Sequence, residues 1–169
     1  MSLTVPVAGD DIDATWGEGV TLLNLGTVLV SDVTANPAAF ADLTGLTFPV
    51  VDTYAYQWEL FLFYSTANVN TGLSVGFNHP GGTAHQLFEI FGEATGPTTL
   101  SARQWDSAVD TNSGSSNVFN NGTYYLCKTF GHYACTANGT FAIRWKRNAT
   151  SANITARAGS ALLVRGVKP

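Results

Sequence analysis

The sequence has few charged residues. Lys, Arg, Asp and Glu together account for 12% of the 169 residues, roughly half of the share of about 25% that soluble domains carry. Thr, Ser, Asn, Ala and Gly take their place, while 45% of the residues are hydrophobic. So little charge predicts that part of the surface is covered by copies of the same chain or by a larger assembly. The alternative is a monomer whose surface is solvated by Thr and Asn.

Clusters of basic residues are also lacking. The formal net charge is −4, whereas proteins that bind nucleic acids group Lys and Arg side chains against the phosphates. Most of the basic residues fall in the last quarter of the chain, where they alternate with apolar residues, as on the solvated or inter-subunit face of a strand. They are Arg144, Lys146, Arg147, Arg157, Arg165 and Lys168. We therefore expect no nucleic-acid partner.

Long apolar runs and a cysteine framework are missing too. No segment approaches the roughly 18–20 apolar residues of a membrane-spanning helix, and residues 1–6 contain no signal-peptide region, so we expect neither a membrane partner nor secretion by a signal peptide. Two cysteines, Cys127 and Cys135, are too few for a disulfide framework, and their spacing fits no zinc motif. A hairpin that turned at Gly131 could join them. Two buried free thiols are the preferred prediction for a protein assembled in a reducing cytoplasm.

Side-chain groupings that support hydrolysis or metal binding are not evident. Ser160 follows a glycine, but the Gly-x-Ser-x-Gly motif of hydrolases is absent. His79 and His85 flank a Pro-Gly-Gly turn that could bring them together, yet no third metal ligand is indicated. Neither pattern predicts a site.

Glu59 is the acidic residue that most resembles a catalytic candidate, because it lies mid-strand among aromatic residues. Glycosidases need two facing carboxylates, however, and a lone, partly buried glutamate is more often structural. Trp58, Trp105 and Trp145 could form a platform for sugar stacking, but Trp58 and Trp145 lie on the apolar side of alternating strands, which favours core packing. We predict no catalytic, cofactor-binding or metal-binding residue, no cofactor, and a protein that is not an enzyme.

The N-terminal segment predicts an attachment arm. Asp10 and Asp11 could cap a short helix over residues 12–25, with Asp13 in its first turn and Gly26 at its end. Capping explains these acids better than a calcium loop, whose later glycine and glutamate are missing. The segment is too short to fold alone, so we divide the chain into an arm, 1–26, and a β-sandwich domain, 27–169.

From residue 27 onward the pattern is that of β-strands. In residues 54–64 every even position is apolar or aromatic, while the odd positions begin polar and end in Phe61 and Phe63. Such a strand is half-solvated at one end and covered on both faces at the other. Further strands are predicted over 27–33, 43–50, 73–77, 84–91, 98–106, 123–130, 141–146, 154–157 and 161–167. This number of short strands predicts an all-β sandwich or barrel, and residues 110–121 predict a polar loop that is mobile or clamped by a neighbour.

Several short segments resemble small virion proteins of tailed bacteriophages. The run Asp-Leu-Thr-Gly-Leu at residues 42–46 resembles their opening strand, and Ala-Gly-Ser-Ala-Leu at residues 158–162 resembles their last strand. The leader over residues 3–25 looks like the segments that attach such modules to a particle. The resemblance implies a jelly-roll-like β module, trimeric and without catalytic activity, and it transfers no functional residue.

Composition and resemblance lead to one expected function. We expect a capsid decoration (cement) protein that binds the shell of the major capsid protein as a homotrimer and stabilises it. It would lie on the virion surface after assembly in the host bacterial cytoplasm. The aromatics Phe61 and Phe63 favour a trimer, because one sandwich cannot bury apolar side chains on both faces of a strand. The alternative is a tail-tip, head-fibre or minor tail module that binds a receptor or glycan and attaches to a tail or fibre protein.

Overall fold

The computed structural model describes residues 14–16, 20–93, 96–106, 109–110 and 117–168, and the side-chain surroundings within 25–86, 109–110 and 117–166. In this part of the chain there are twelve strands and no helix, so none that could cross a membrane. The strands are β1 (Ala14–Trp16), β2 (Val20–Val28), β3 (Val33–Ala35), β4 (Ala41–Val50), β5 (Ala55–Thr66), β6 (Thr71–Asn78), β7 (Gly82–Glu93), β8 (Gly96–Asp106), β9 (Tyr125–Cys135), β10 (Gly139–Ala149), β11 (Ile154–Ala156) and β12 (Ala161–Lys168).

The strands form two antiparallel sheets that pack face to face. The larger sheet has nine strands, in the order β1-β2-β12-β5-β9-β7-β8; β11 also pairs with β5, and β3 pairs with β11. The smaller sheet has the order β4-β10-β6. Trp58 of β5 lies across the interface from Phe77 of β6 and Phe141 of β10, with ring centroids 6.3 and 5.6 Å apart. The predicted all-β class is therefore confirmed. The jelly-roll-like connection and the trimer stay predictions.

The core lies between the two sheets and is rich in aromatic rings. Phe141 is fully buried, and its ring contacts those of Phe48, Tyr133, Trp58 and Phe77 at centroid distances of 4.9, 5.4, 5.6 and 5.7 Å. Two of these rings belong to the larger sheet and two to the smaller. Phe141 therefore holds the two layers together.

The predicted N-terminal helix is wrong. Residues 14–16 and 20–28 form β1 and β2, and β2 pairs with β12 from Thr21 opposite Lys168 to Val28 opposite Ala161. The backbone groups along β12 need hydrogen-bond partners, and this demand outweighs the weak helix propensity of a segment that contains two glycines. The predicted boundary between residues 26 and 27 falls inside β2. The attachment role of the arm stays a prediction, and residues 1–13 and 17–19 lie outside the described residues.

The other strand predictions overlap observed strands, with one exception. Over 27–33, β2 ends at Val28 and β3 begins only at Val33. Asp32 lies between them, and its carboxylate accepts hydrogen bonds from the Arg157 guanidinium and the Ala158 backbone. Side-chain contacts hold this turn in place, and the alternation of apolar and polar residues in the sequence gives no sign of them.

The predicted free thiols are confirmed, but the hairpin at Gly131 is not formed. Cys127 and Cys135 are both free and buried, and both lie on the continuous strand β9. Eight residues of extended chain separate them by about 26 Å, so they cannot bond within one chain. Gly131 instead lies beneath the Trp58 indole, where a β-carbon would come within 2.6 Å of Trp58 Cζ2.

Candidate assembly face on the nine-stranded sheet

Alternation in β5 divides its side chains between two faces of the larger sheet. Tyr56, Trp58, Leu60, Leu62 and Tyr64 point into the core and are at most 2% exposed. The intervening residues therefore point away from the core, because successive side chains of a strand lie on opposite faces. The outward side chains of β5 and its neighbours form what we call the assembly face: Val28, Gln57, Glu59, Phe61, Phe63, His85, Leu126, Lys128, Phe130, His132, Leu163 and Arg165.

Apolar side chains occupy the middle of the assembly face. Strand register places Glu59 of β5 opposite Leu163 on one side and Phe130 on the other. Leu163 is 49% exposed, and Phe130 and Phe63 are each 42% exposed. Leu163 and Phe130 lie on either side of Glu59, and Phe61 and Phe63 follow it along β5, so exposed apolar side chains surround this charged residue on three adjacent strands.

The one acid of this patch is neutralised inside the chain. Glu59 Oε1 lies 2.7 Å from Lys128 Nζ, and Lys128 Nζ lies 5.1 Å from the centre of the Phe61 ring. Both charged side chains are about one-third exposed, so the pair could be covered by a neighbour without leaving an unpaired charge. The sequence singled out Glu59 but gave no sign of its partner.

A groove of about 890 Å³ runs over the assembly face. Its outward lining combines Glu59, Lys128, Phe130, Leu163 and other residues of the face with backbone of the strands beneath. Glu59 is the only carboxylate among these lining residues, whereas glycoside hydrolysis uses two. The groove therefore offers apolar contact, one internal ion pair, and the polar side chains of Gln57, His85, His132 and Arg165.

The three histidines occupy two different surroundings. His79 stacks against Tyr133 with ring centroids 4.9 Å apart, and burial lowers the pKa of His79. His85 lies on the assembly face, directly opposite His132 of β9. The sequence suggested His79 and His85 as neighbours across a turn; the register instead pairs His85 with His132.

The remaining sequence candidates are structural. Trp58 and Trp145 are each 2% exposed, so the predicted preference for core packing is confirmed for both; the Trp105 side chain lies outside the described residues. Ser160 is fully buried, and its hydroxyl accepts a 3.0 Å hydrogen bond from the Phe63 backbone. Burial raises the pKa of the Cys127 thiol far above its usual range, which makes it unreactive. Within the described ranges, no three His, Cys, Asp or Glu side chains group as metal ligands.

Arg144 anchors the start of the polar loop. Its Nε lies 3.1 Å from Asp42, its Nη2 donates to the Phe40 carbonyl at 2.6 Å, and its Nη1 donates to Asp110. The Val118 side chain, near the other end of the loop, is buried. Both ends of the predicted loop are thus held by contacts within the chain, whereas residues 111–116 lie outside the described residues. The Arg144 side chain is mostly buried rather than on a solvated strand face.

Comparisons with known proteins give no family. No family model matches the chain, and no curated protein matches it. Among solved structures, Eiger TNF from S. frugiperda has a TM-score of 0.41 and 8% identity, covering 88% of this chain and 92% of that one. The tripod from the baseplate of bacteriophage Tuc2009 has a TM-score of 0.33 and 12% identity, covering 99% and 78%. The infectious bursal disease virus VP2 subviral particle has a TM-score of 0.27 and 9% identity, covering 94% and 45%. These TM-scores are too low for any argument about fold, assembly or function.

Proposed function

We propose that the chain is a non-enzymatic structural subunit of a tailed bacteriophage particle, and that it works as a homotrimer closed through the assembly face. The observation that carries the trimer is the group of exposed apolar side chains around Glu59, namely Leu163, Phe130 and Phe63, on a sheet whose other face is already filled by the core. The phage assignment rests on the sequence segments at residues 42–46 and 158–162.

Covering the patch would contribute to the free energy of self-association. Full burial of a Leu or Phe side chain stabilises by about 1.5–3 kcal/mol, so a side chain that is still about half exposed would add on the order of 1 kcal/mol when covered. Leu163, Phe130 and Phe63 together would then contribute about 3 kcal/mol per subunit. A symmetric oligomer repeats this gain at each interface. The low share of charged residues, 12%, fits a chain that keeps much of its surface in contact with other subunits.

Within the phage particle, we propose that the trimer is a jelly-roll-like capsid decoration module on the virion surface. It would bind the shell of the major capsid protein and reinforce it. The alternative role is a tail-tip, head-fibre or minor tail module that binds a receptor or glycan. Burial of Trp58 and Trp145 removes the most obvious sugar platform, which is why decoration comes first.

The oligomeric state tests the assembly face directly. Light scattering coupled to gel filtration should give about three times the chain mass of 17.9 kDa. Leu163→Glu and Phe130→Glu would place an uncompensated charge in the interface, which costs several kcal/mol, and should shift the protein to monomer with an unchanged circular dichroism spectrum. Val51→Glu is the matched control, since Val51 is 47% exposed but lies in the turn between β4 and β5. A wild-type monomer, or equal behaviour of all three variants, would contradict the proposal.

Particles that lack the protein separate the two roles. Decoration predicts hundreds of copies per particle, and shells without them that burst on heating or osmotic shock while still adsorbing to cells, because a protein that binds only the intact shell stabilises that state. A receptor-binding module predicts a few dozen copies or fewer. Its loss would abolish adsorption and leave heat resistance unchanged, and that result would replace the decoration role.

A further inference from the structure

Two histidines of the assembly face are direct cross-strand neighbours. The antiparallel ladder between β7 and β9 sets His85 directly opposite His132. Side chains at directly opposite positions have β-carbons about 4.5–5.5 Å apart. Two imidazole nitrogens that bind one ion at about 2.0–2.1 Å lie about 3.3 Å from each other, a separation that such a pair can reach by rotating its side chains.

We propose that His85 and His132 together bind a divalent transition-metal ion, with Zn²⁺ as the physiological candidate. Imidazole nitrogen is a preferred ligand of Zn²⁺, Cu²⁺ and Ni²⁺ and a poor one for Mg²⁺ or Ca²⁺. The site goes beyond the proposed structural role, and it requires no trimer, because both ligands belong to one chain.

The neighbours of the pair complete the site. Gln57 of β5 lies opposite His132 on the far side from His85, so its amide oxygen is the nearest candidate for a third ligand. No further His, Cys, Asp or Glu groups with the pair in the described part of the chain, so water would fill the remaining positions of an open site. Strand β9 is hydrogen-bonded on both sides, to β5 and β7, which holds the two ligand positions before an ion arrives.

The local charges are compatible with a cation. Lys128 is paired with Glu59 at 2.7 Å, so neither contributes a full net charge. Arg165 lies opposite Gln57, two strands from His132, a distance of about 10 Å at which physiological salt screens much of the repulsion. Affinity should be set by the two imidazoles.

Titration with ZnCl₂ in a non-chelating buffer at pH 7.5, followed by calorimetry, tests the proposal. We expect one Zn²⁺ per chain. His85→Gln and His132→Gln should each weaken binding at least tenfold, since even groups that only support a ligand change metal affinity by about 10–100-fold. His79→Gln is the matched control, because His79 lies against Tyr133 and should leave binding unchanged.

Nuclear magnetic resonance of the imidazole nitrogens locates the ion, since the chain has three histidines. Shifts confined to His85 and His132 support the site. The proposal is overturned if wild type binds no Zn²⁺, if the His79 signal shifts instead, or if both pair variants keep affinity within twofold. If His85→Gln lowers the melting temperature, its loss of affinity could come from misfolding. The Zn²⁺ affinity of the His132→Gln variant, whose side chain is exposed, then decides the test. The chain mass in each sample shows separately whether the trimer is present.

Discussion

Replacing Phe141 with alanine is the sharpest test of how the two sheets are held together. Phe141 is fully buried, and its ring contacts Phe48 and Phe77 of the smaller sheet and Trp58 and Tyr133 of the larger one. The substitution would remove the one ring that touches all four others. It would leave a cavity between rigid strands that cannot close around it.

The expected loss is large. Core Phe→Ala substitutions cost about 3–5 kcal/mol, and aromatic pairs add about 0.5–1.5 kcal/mol beyond area burial. Four ring contacts place Phe141→Ala near the upper end of that range, at about 4–5 kcal/mol. For a chain of this size, that loss lowers the melting temperature by about 8–20 °C. Phe141→Leu keeps most of the volume and should cost about 1.5 kcal/mol.

Urea unfolding, followed by tryptophan fluorescence, measures these losses. All variants should be compared at one protein concentration, because association would make apparent stability depend on it. Phe119→Ala is the control, since Phe119 is 39% exposed and should lose about 1 kcal/mol or less. A loss below about 2 kcal/mol for Phe141→Ala would refute the reasoning: the layers would then be held together mainly by other contacts.

Four further predictions follow from the structure. A thiol reductant should change the melting temperature by no more than about 1 °C, since Cys127 and Cys135 are free and no bridge of about 2–3 kcal/mol is lost. Arg144→Ala should cost about 1.5–3 kcal/mol, the range for hydrogen bonds to a charged group, and should speed proteolysis after residue 106. Stability should fall as pH drops below about 6.5, because burial lowers the pKa of His79 and the unfolded chain then binds more protons. Deletion of residues 1–26 should lower the melting temperature, because it unpairs most of the β12 edge.

Three of these measurements have an internal control. Lys146→Ala should have little effect beside Arg144→Ala, because the Lys146 ammonium only lies over the Phe40 ring at 5.1 Å. His79→Gln should flatten the pH profile below about 6.5; an unchanged profile would assign the dependence to other groups. Deletion of residues 1–13 should preserve stability if β2 is the part that matters, and equal losses from both deletions would contradict that view.

Most strands could be predicted because one face of each strand is buried, so that apolar and polar residues alternate along its sequence. In the run over residues 54–64, β5 buries every even position from Tyr56 to Tyr64. The helix over 12–25 was wrong because acidic residues before an apolar stretch fit a capped helix as well as a strand. Only the unpaired edge of β12, 140 residues later in the chain, favours the strand.

The candidate site could be predicted only in part. Phe61 and Phe63 marked an apolar outward face, which the structure places beside Phe130 and Leu163. The pairing of His85 with His132 depends on the register between β7 and β9, and a one-residue slip would move either histidine to the other face. No local pattern fixes that register, so the sequence alone indicated His79 and His85, which flank a turn, as possible neighbours.

Strict alternation in β5 also separates folding from partner choice. Trp58 and Leu60 are buried in the core. Glu59 and Phe61, which alternate with them, face outward and would contact whatever covers that surface. A mutation at an outward position can therefore alter what the subunit recognises at little cost to its stability, and new contacts can be engineered or selected there one residue at a time. A lineage carrying this chain could change its binding surface while the interior of the sandwich stayed the same.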